Sequence, residues 1–283
     1  SPADERLRGF RADEVVGRSL FELLTEEASD LVRELFNPGT LDDPSSGTTG
    51  FRKFEMQQRC KDGTLIWGEV MVKSDRNNQG EIVGHHGITR NVTERKRLEG
   101  QIRQLAFHDT LTNLANRRLL LEHLDQAMGE SKRSSHYGAL LYLDLDNFKP
   151  LNDMHGHGMG DLLLMEVASR LKGCVREADT VARIGGDEFV VVLRALDPQW
   201  EEARVQAIAV AEKIRARLAD PYVLRPAPAA PAIEHDCTAS IGVALFHGRD
   251  EILDNLMERA DQAMYQAKED GRNRVQLAQA AKK

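Results

Sequence analysis

The chain has little cysteine. Its three Cys, at 60, 174 and 237, are widely spaced and form no CxxC. That excludes a disulfide framework and a cysteine-based zinc site, and it fits a reducing cytosol, so a cytoplasmic location is expected. No run of about 18 apolar residues occurs, so no transmembrane helix is expected. The first twenty residues mix acids with arginines and hold no apolar block, so no signal peptide is expected either. The sequence also lacks a basic excess. It has 38 Lys+Arg against 45 Asp+Glu, a net charge of −7. Such a surface does not suit nucleic acid, and no nucleic-acid partner is expected. A protein of this charge that handles a polyphosphate needs metal ions and a few placed cations.

What is present is globular. Hydrophobic residues make up 41% and charged residues 29% of 283 residues. That length suits two domains of roughly 100–200 residues. Residues 11–36 read as short helices. A polar stretch, 37–50, follows and reads as a loop. Phe51–Cys60, Thr64–Lys73 and Glu81–Thr89 read as three antiparallel strands joined by the turns Lys61-Asp62-Gly63 and Asn77–Gly80. A small α+β domain is the expectation.

Residues 92–108 form a charged connecting helix. Leu98, Ile102 and Leu105 recur at i, i+4 and i+7 along it. The stripe is compatible with a solvated connector and with a parallel dimer stalk. From Asp109 onward helices and strands alternate. Expected helices are Arg117–Ser131, Gly160–Cys174, Glu201–Leu218 and Ile252–Glu269. Expected strands are Gly138–Leu145, Thr180–Ile184, Glu188–Leu193, Cys237–Phe246 and Asn273–Leu277. Arg225–Pro231 (RPAPAAP) reads as a surface loop.

Two acidic clusters stand out. Asp144-Leu145-Asp146 closes an apolar strand, and strand alternation puts both carboxylates on one face. Gly185-Gly186-Asp187-Glu188 makes a tight turn between strands. Its glycines lack Cβ atoms, so a phosphate or ligand backbone can approach closely. Carboxylates from two such elements, brought together, make a hard-oxygen site for Mg²⁺. That is the layout of metal-assisted phosphoryl or nucleotidyl transfer. Either cluster alone is more often a solvated strand end or an ordinary turn.

Residues 109–278 resemble the GGDEF family, the diguanylate cyclases. The signature stands here as Gly185-Gly186-Asp187-Glu188-Phe189. Further matching stretches are DTLTNLANRR (109–118), LDLDNFKPLNDMHGHGMGD (143–161), READTVARIGGDEF (176–189), TASIGVA (238–244) and ADQAMYQAKEDGRN (260–273). The resemblance implies a palm-like α/β domain with a central sheet flanked by helices. It implies condensation of two GTP into cyclic di-GMP and two pyrophosphates by a homodimer with Mg²⁺ or Mn²⁺. Carried over by position, Asp144 and Asp187 are Mg²⁺ ligands, with the Leu145 carbonyl a further one. Glu188 completes the acidic pair as ligand or base. Lys149 faces the phosphates. Gly185 and Gly186 admit the substrate, and Asn152 and Asp161 read guanine. Lys268 and Arg272, four apart, are expected to hold the terminal phosphates from one face of the last helix. A carboxylate at 161 accepts from the guanine N1–H and N2–H₂ together, so GTP is expected over ATP. The bland role for Asp161 is a first-turn helix residue complementing the dipole.

Arg176-Glu177-Ala178-Asp179 has the spacing to Gly185 of the family's RxxD site, where product binds and restrains turnover. The bland reading is a surface ion pair. His155 and His157 are expected to cap and pack their turn. Asn113, Ala115 and Met159 depart from the family's common Gly, Pro and glycine-turn residues.

Residues 1–91 resemble a PAS sensor domain. The stretches are SPADERLRGFRADEVVGRSLFELL (1–24), RCKDGTLIWGEVMV (59–72) and GEIVGHHGITRNVTERKRLE (80–99). Relative to that family the first strand is missing, and Asn91-Val92-Thr93 stands where Asp-x-Thr is usual. Asn91 can still cap the turn. The PAS ligand is not legible, and His85 and His86 read as strand residues near the surface rather than haem ligands. The whole is expected to be α+β: a PAS domain (1–91), a signalling helix (92–108), a cyclase domain (109–278) and a tail (279–283). The expected function is a PAS-regulated diguanylate cyclase with product inhibition. The alternative is a catalytically silent GTP or cyclic di-GMP module that regulates a fused or partner phosphodiesterase.

Overall fold

The computed structural model describes residues 2–35, 51–226, 231–249 and 251–279. The polar stretch 37–50, part of the 225–231 loop and most of the tail lie outside them. The chain divides into two compact units, one to Ile102 and one from Arg103.

The first unit opens with helices α1 (Pro2–Arg8), α2 (Ala12–Val15) and α3 (Glu26–Leu35), with one 3₁₀ turn at Leu20–Leu23. Strands β1 (Phe51–Arg59), β2 (Leu65–Arg76) and β3 (Ile82–Asn91) follow as an antiparallel sheet in that order. Gly63 and Gly80 end the two hairpin turns at φ +85° and +83°, the left-handed region that glycine enters without a steric penalty. Leu24, Ala28 and Val32 pack on Met56 and Val70 of the sheet. A cavity of about 420 Å³ opens beside this small core. Phe21, Val32, Phe54 and Met56 line it, with Gln58, His85 and His86. His86 Nδ1 lies 2.9 Å from Asp75, and His85 Nδ1 lies 3.0 Å from the Ser74 hydroxyl.

Helix α4 (Thr93–Phe107) runs across the division between the units. Its start is fixed as the sequence suggests. Asn91 Oδ1 accepts from the Thr93 amide, and Thr93 Oγ1 accepts from the Trp67 amide. Glu55 on β1 takes both Arg95 and Lys96. Hydrogen bonds from those two cations hold the Glu55 carboxyl down at about 2. Leu98, Ile102 and Leu105 are all exposed.

The second unit is built on β4 (Gly138–Asp146), β5 (Thr180–Gly185), β6 (Glu188–Leu193), β9 (Thr238–Phe246) and β10 (Val275–Leu277). Between them come β7 (Tyr222–Leu224) and β8 (Ile233–His235), a separate hairpin. The main sheet has the order β10-β9-β4-β6-β5. β10 runs parallel to β9, and the remaining pairs are antiparallel. β4 is central and buried at every position, in keeping with its apolar run Gly138–Leu143. Leu141, Leu143 and Leu145 face the core made with α7 (His157–Cys174) and α8 (Trp200–Leu218). Leu140 and Tyr142 face α5 (Arg117–Ser134) and α9 (Leu253–Glu269). Gly242 lets α9 lie directly on β9, since a Cβ there would overlap the Ala260 carbonyl and the Met264 amide.

Several elements depart from the sequence reading, and α1 already does so, since it lies ahead of the short helices expected at 11–36. α6 (Phe148–His155) stands where the sequence pattern predicts no helix. Pro150 is its third residue, where a missing N–H costs no helical bond. α7 begins at His157 rather than Gly160, because Gly158 and Gly160 are helical. The β7–β8 hairpin brackets the Pro/Ala-rich loop and buries Tyr222 completely.

Candidate active site

Asp144 stands opposite Glu188 of β6 on one side and opposite Ser240 of β9 on the other. Lys268 Nζ of α9 lies 2.7 Å from Asp144 Oδ2. The Asp144 carboxyl is pushed up to about 6. Burial is the main cause, and the Lys268 hydrogen bond opposes it. The charges of Asp187 and Glu188 push the same way as burial. Asp187 and Glu188 therefore share one electrostatic site with Asp144.

Asp146 is on the same face but has other partners. It is 2% exposed. Thr238 Oγ1 donates to it at 2.6 Å, Ser240 Oγ at 2.8 Å and the Asn273 amide at 3.1 Å. One carboxylate of the pair stands with the Gly185–Glu188 turn, and the other is tied into the fold.

That turn is itself anchored. Gly186 has φ +47°. The Leu145 amide donates to the Asp187 carbonyl at 3.3 Å, which ties the turn to the end of β4. Arg183 of β5 donates twice to the Gly186 carbonyl, at 3.0 and 2.8 Å, and reaches Asp109 with its third nitrogen. Burial raises the Asp109 carboxyl, but the Thr112 hydroxyl and amide and Arg183 outweigh it and hold it below its usual value. A Cβ at Gly185 or Gly186 would meet nothing within 4 Å, so the outer side of the turn is open. The sequence reading assigned no role to Arg183 or Asp109. Their signal lay in the matching stretches at 109–118 and 176–189.

Lys149 is an exposed residue of α6, whose preceding residue Asn147 has φ +61°. Asn152, on the next turn, packs against Gly160 of α7, where a Cβ would overlap its Oδ1. Asn152 Oδ1 is buried without a hydrogen-bond partner among the described residues. Asp161 is exposed and is the fifth residue of α7. It lies past the first turn, so the expected dipole role is not its place. The expectation for Arg272 also needs correction. α9 ends at Glu269. Gly271, Arg272 and Asn273 follow at φ +113°, +59° and +45°. Lys268 is on the helix, and Arg272 is in a left-handed turn beyond it. His155 and His157 are exposed and do not pack. Met159 is buried in the core, and Asn113 takes φ +54°, which Asn tolerates better than most residues.

A second polar region surrounds Arg176 and Asp179. Asp179 Oδ2 accepts from the Arg176 amide at 2.9 Å, and Oδ1 accepts from the Arg194 amide at 3.1 Å. Its side chain is therefore committed to backbone. Among the described residues Arg176 forms no side-chain ion pair, so the expected bland pairing is absent. A cavity of about 410 Å³ adjoins them, lined also by Arg194, Gln206 and Lys213.

Among the described residues, no three His, Cys, Asp or Glu side chains are grouped to hold a metal ion by themselves. The donors at the turn still suit Mg²⁺. It takes hard oxygens, often one or two carboxylates completed by substrate phosphates and water.

An antiparallel-centred α/β domain with carboxylates at a central strand end, facing a glycine turn, is the layout of a nucleotide-handling transferase. The chain belongs to the GGDEF family: the family model for the diguanylate cyclase GGDEF domain matches residues 106–274. It is 44% identical over 181 residues to the bifunctional diguanylate cyclase/cyclic di-GMP phosphodiesterase MucR of Pseudomonas aeruginosa, a match of 64% of this chain and 25% of that one. It is 38% identical over 193 residues to diguanylate cyclase DgcM of Escherichia coli, covering 68% and 43% of the two chains. An uncharacterized signaling protein of Caulobacter vibrioides is 35% identical over 274 residues, which is 94% of this chain and 30% of that one. The chain thus spans less than half the length of these relatives. The coiled coil and GGDEF domain of DgcB from Caulobacter crescentus, solved in complex with c-di-GMP, matches at 35% identity with a TM-score of 0.56. It covers 65% of this chain and 92% of that one. No helix among the described residues is long and apolar enough to cross a membrane.

Proposed function

We propose that this chain is a diguanylate cyclase that condenses two GTP into cyclic di-GMP and two pyrophosphates. The observation that carries the reading is the register of β4 and β6. It sets Asp144 directly opposite Glu188, with Asp187 in the turn that the Leu145 amide holds. Asp144, Asp187 and the Leu145 carbonyl would hold Mg²⁺, or Mn²⁺ in its place. When bound, the ion supplies neutralisation of the charge that develops on the reacting phosphate. Glu188 adds the second carboxylate of the acidic pair beside Asp144.

The remaining roles follow from placement. The open side of Gly185-Gly186 admits the nucleotide. Asn152 offers guanine an unused buried amide oxygen, and Asp161 offers a carboxylate acceptor. Lys149, Lys268 and Arg272 supply cations for the phosphates. Each domain binds one GTP, so turnover needs two copies, and the exposed Leu98-Ile102-Leu105 stripe suits a homodimer. Arg176 and Asp179 border the site where product cyclic di-GMP restrains turnover. The first unit acts as a PAS sensor in the cytoplasm, with its cavity as the ligand chamber.

The test is incubation of the purified chain with GTP and Mg²⁺, and separately with ATP, with products identified by chromatography and mass. Cyclic di-GMP from GTP alone, abolished in Asp187→Ala, is the expected result. Binding of GTP or cyclic di-GMP without product would replace the reading with that of a silent regulatory module.

A further inference from the structure

We infer that Asp146 is a positioning residue for Arg272. It fixes the left-handed turn that presents this cation to the nucleotide phosphates, and it does so through the Asn273 amide. The inference rests on the reading of Arg272 as a phosphate-binding residue.

Arg272 needs something beyond α9 to place it. The helix has stopped at Glu269, and two successive residues with side chains, Arg272 and Asn273, sit at positive φ. Such conformations persist only where the surroundings over-determine them. The amide of Arg272 is held by the Ala267 carbonyl at 3.0 Å, at the helix end. The next amide, that of Asn273, is held by Asp146 Oδ2 at 3.1 Å. Arg272 is thereby pinned on both sides. The Asn273 side chain is also held, accepting from Arg215 at 3.0 Å.

Asp146 is suited to the task. It is almost wholly buried at the end of the central strand. Thr238 and Ser240 of β9 each donate a hydroxyl hydrogen bond to it. Those two hydroxyls orient the carboxylate, and a third donor, Asn273, completes it. Asp144 and Asp146 therefore divide the work. Asp144 meets Lys268 directly, and Asp146 meets the chain one residue beyond Arg272. Each carboxylate of the strand end governs one of the two cations.

The experiment is a binding comparison that turnover cannot disturb. An α,β-methylene GTP analogue and GMP are titrated, with Mg²⁺, into the unaltered chain, Asp146→Ala, Arg272→Ala and the double variant. A cation on the terminal phosphates matters to the analogue and not to GMP. Asp146→Ala is expected to weaken the analogue about tenfold and GMP less than about twofold, with no further loss in the Arg272→Ala background. Asp146→Asn, which keeps one acceptor oxygen, is expected to recover part of the loss. Equal weakening of both nucleotides, or a full tenfold loss in the Arg272→Ala background, would overturn the inference and leave Asp146 a general scaffold residue. If the Asp146 variants melt too low to titrate, Thr238→Val carries the same comparison and the same criterion, since it keeps the carboxylate and removes its hydroxyl donor. Failure of the unaltered chain to bind the analogue at all would overturn the cyclase reading itself, and this inference with it.

Discussion

Lys268 Nζ lies 2.7 Å from Asp144 Oδ2, so the cation read as a phosphate ligand is the counter-ion of the carboxylate read as a metal ligand. The contact also sets a pH dependence. Burial raises the Asp144 carboxyl from 3.8 to about 6, against the opposing pull of Lys268. The folded chain thus holds this proton more tightly than the unfolded one. Its contribution to stability is present below about pH 4 and is lost as pH rises through 6, on the order of 1–3 kcal/mol. Asp144→Asn should remove that slope when melting is followed from pH 4 to 7 without metal. Lys268→Met should move the proton release upward and, with it, the pH at which Mg²⁺ begins to bind.

The two glycines of the turn should separate fold from chemistry. Gly185 has ordinary φ and open space where a Cβ would go, so Gly185→Ala should change stability by less than about 0.5 kcal/mol. A lost Cβ-free approach should nonetheless lower GTP turnover at least about tenfold. Gly186 has φ +47°, so Gly186→Ala should cost about 1 kcal/mol in unfolding. Melting curves and product assays on the two proteins check both halves.

Gly160→Ala should act on selectivity. The new methyl overlaps Asn152 Oδ1, the far end of a side chain that can move aside. Melting should shift by about 1 kcal/mol or less, because alanine favours the helix. The preference for GTP over ATP should fall. Unchanged selectivity would remove Asn152 from the guanine site.

Arg176 and Asp179 should behave differently despite sharing a motif. Arg176 is exposed, so Arg176→Ala should be neutral in stability and should raise the product level at which turnover stops. Asp179 accepts from two backbone amides. Asp179→Ala should lose about 1–3 kcal/mol of stability as well as inhibition. Denaturation and progress curves in added cyclic di-GMP distinguish the two.

Much of the fold was legible where a single pattern ruled. The run Gly138–Asp146 is apolar to its penultimate residues and became a strand buried on both faces. The turns at Gly63 and Gly80 carried their own conformational signal. Where two signals compete, the local pattern is ambiguous. The glycine-rich stretch before Gly160 reads as a turn, yet the packing of Leu151 and Met159 into the core makes helix there. The strands flanking RPAPAAP are three residues each, too short to show a period. The acidic motifs were visible, but their partners were not. Lys268 reaches Asp144 and Thr238 reaches Asp146 across more than ninety residues, and no local pattern reports a contact made only by folding.

β4 has no exposed position, and it carries Asp144 at its end. A slip of one residue in either direction would put a leucine at that place and a charge in an apolar layer. The acid's location is therefore as stiff as the interior that holds it. Heat cannot blur the site while leaving the domain intact: the loss of its geometry and the collapse of the whole second unit should be one event on a thermal scan.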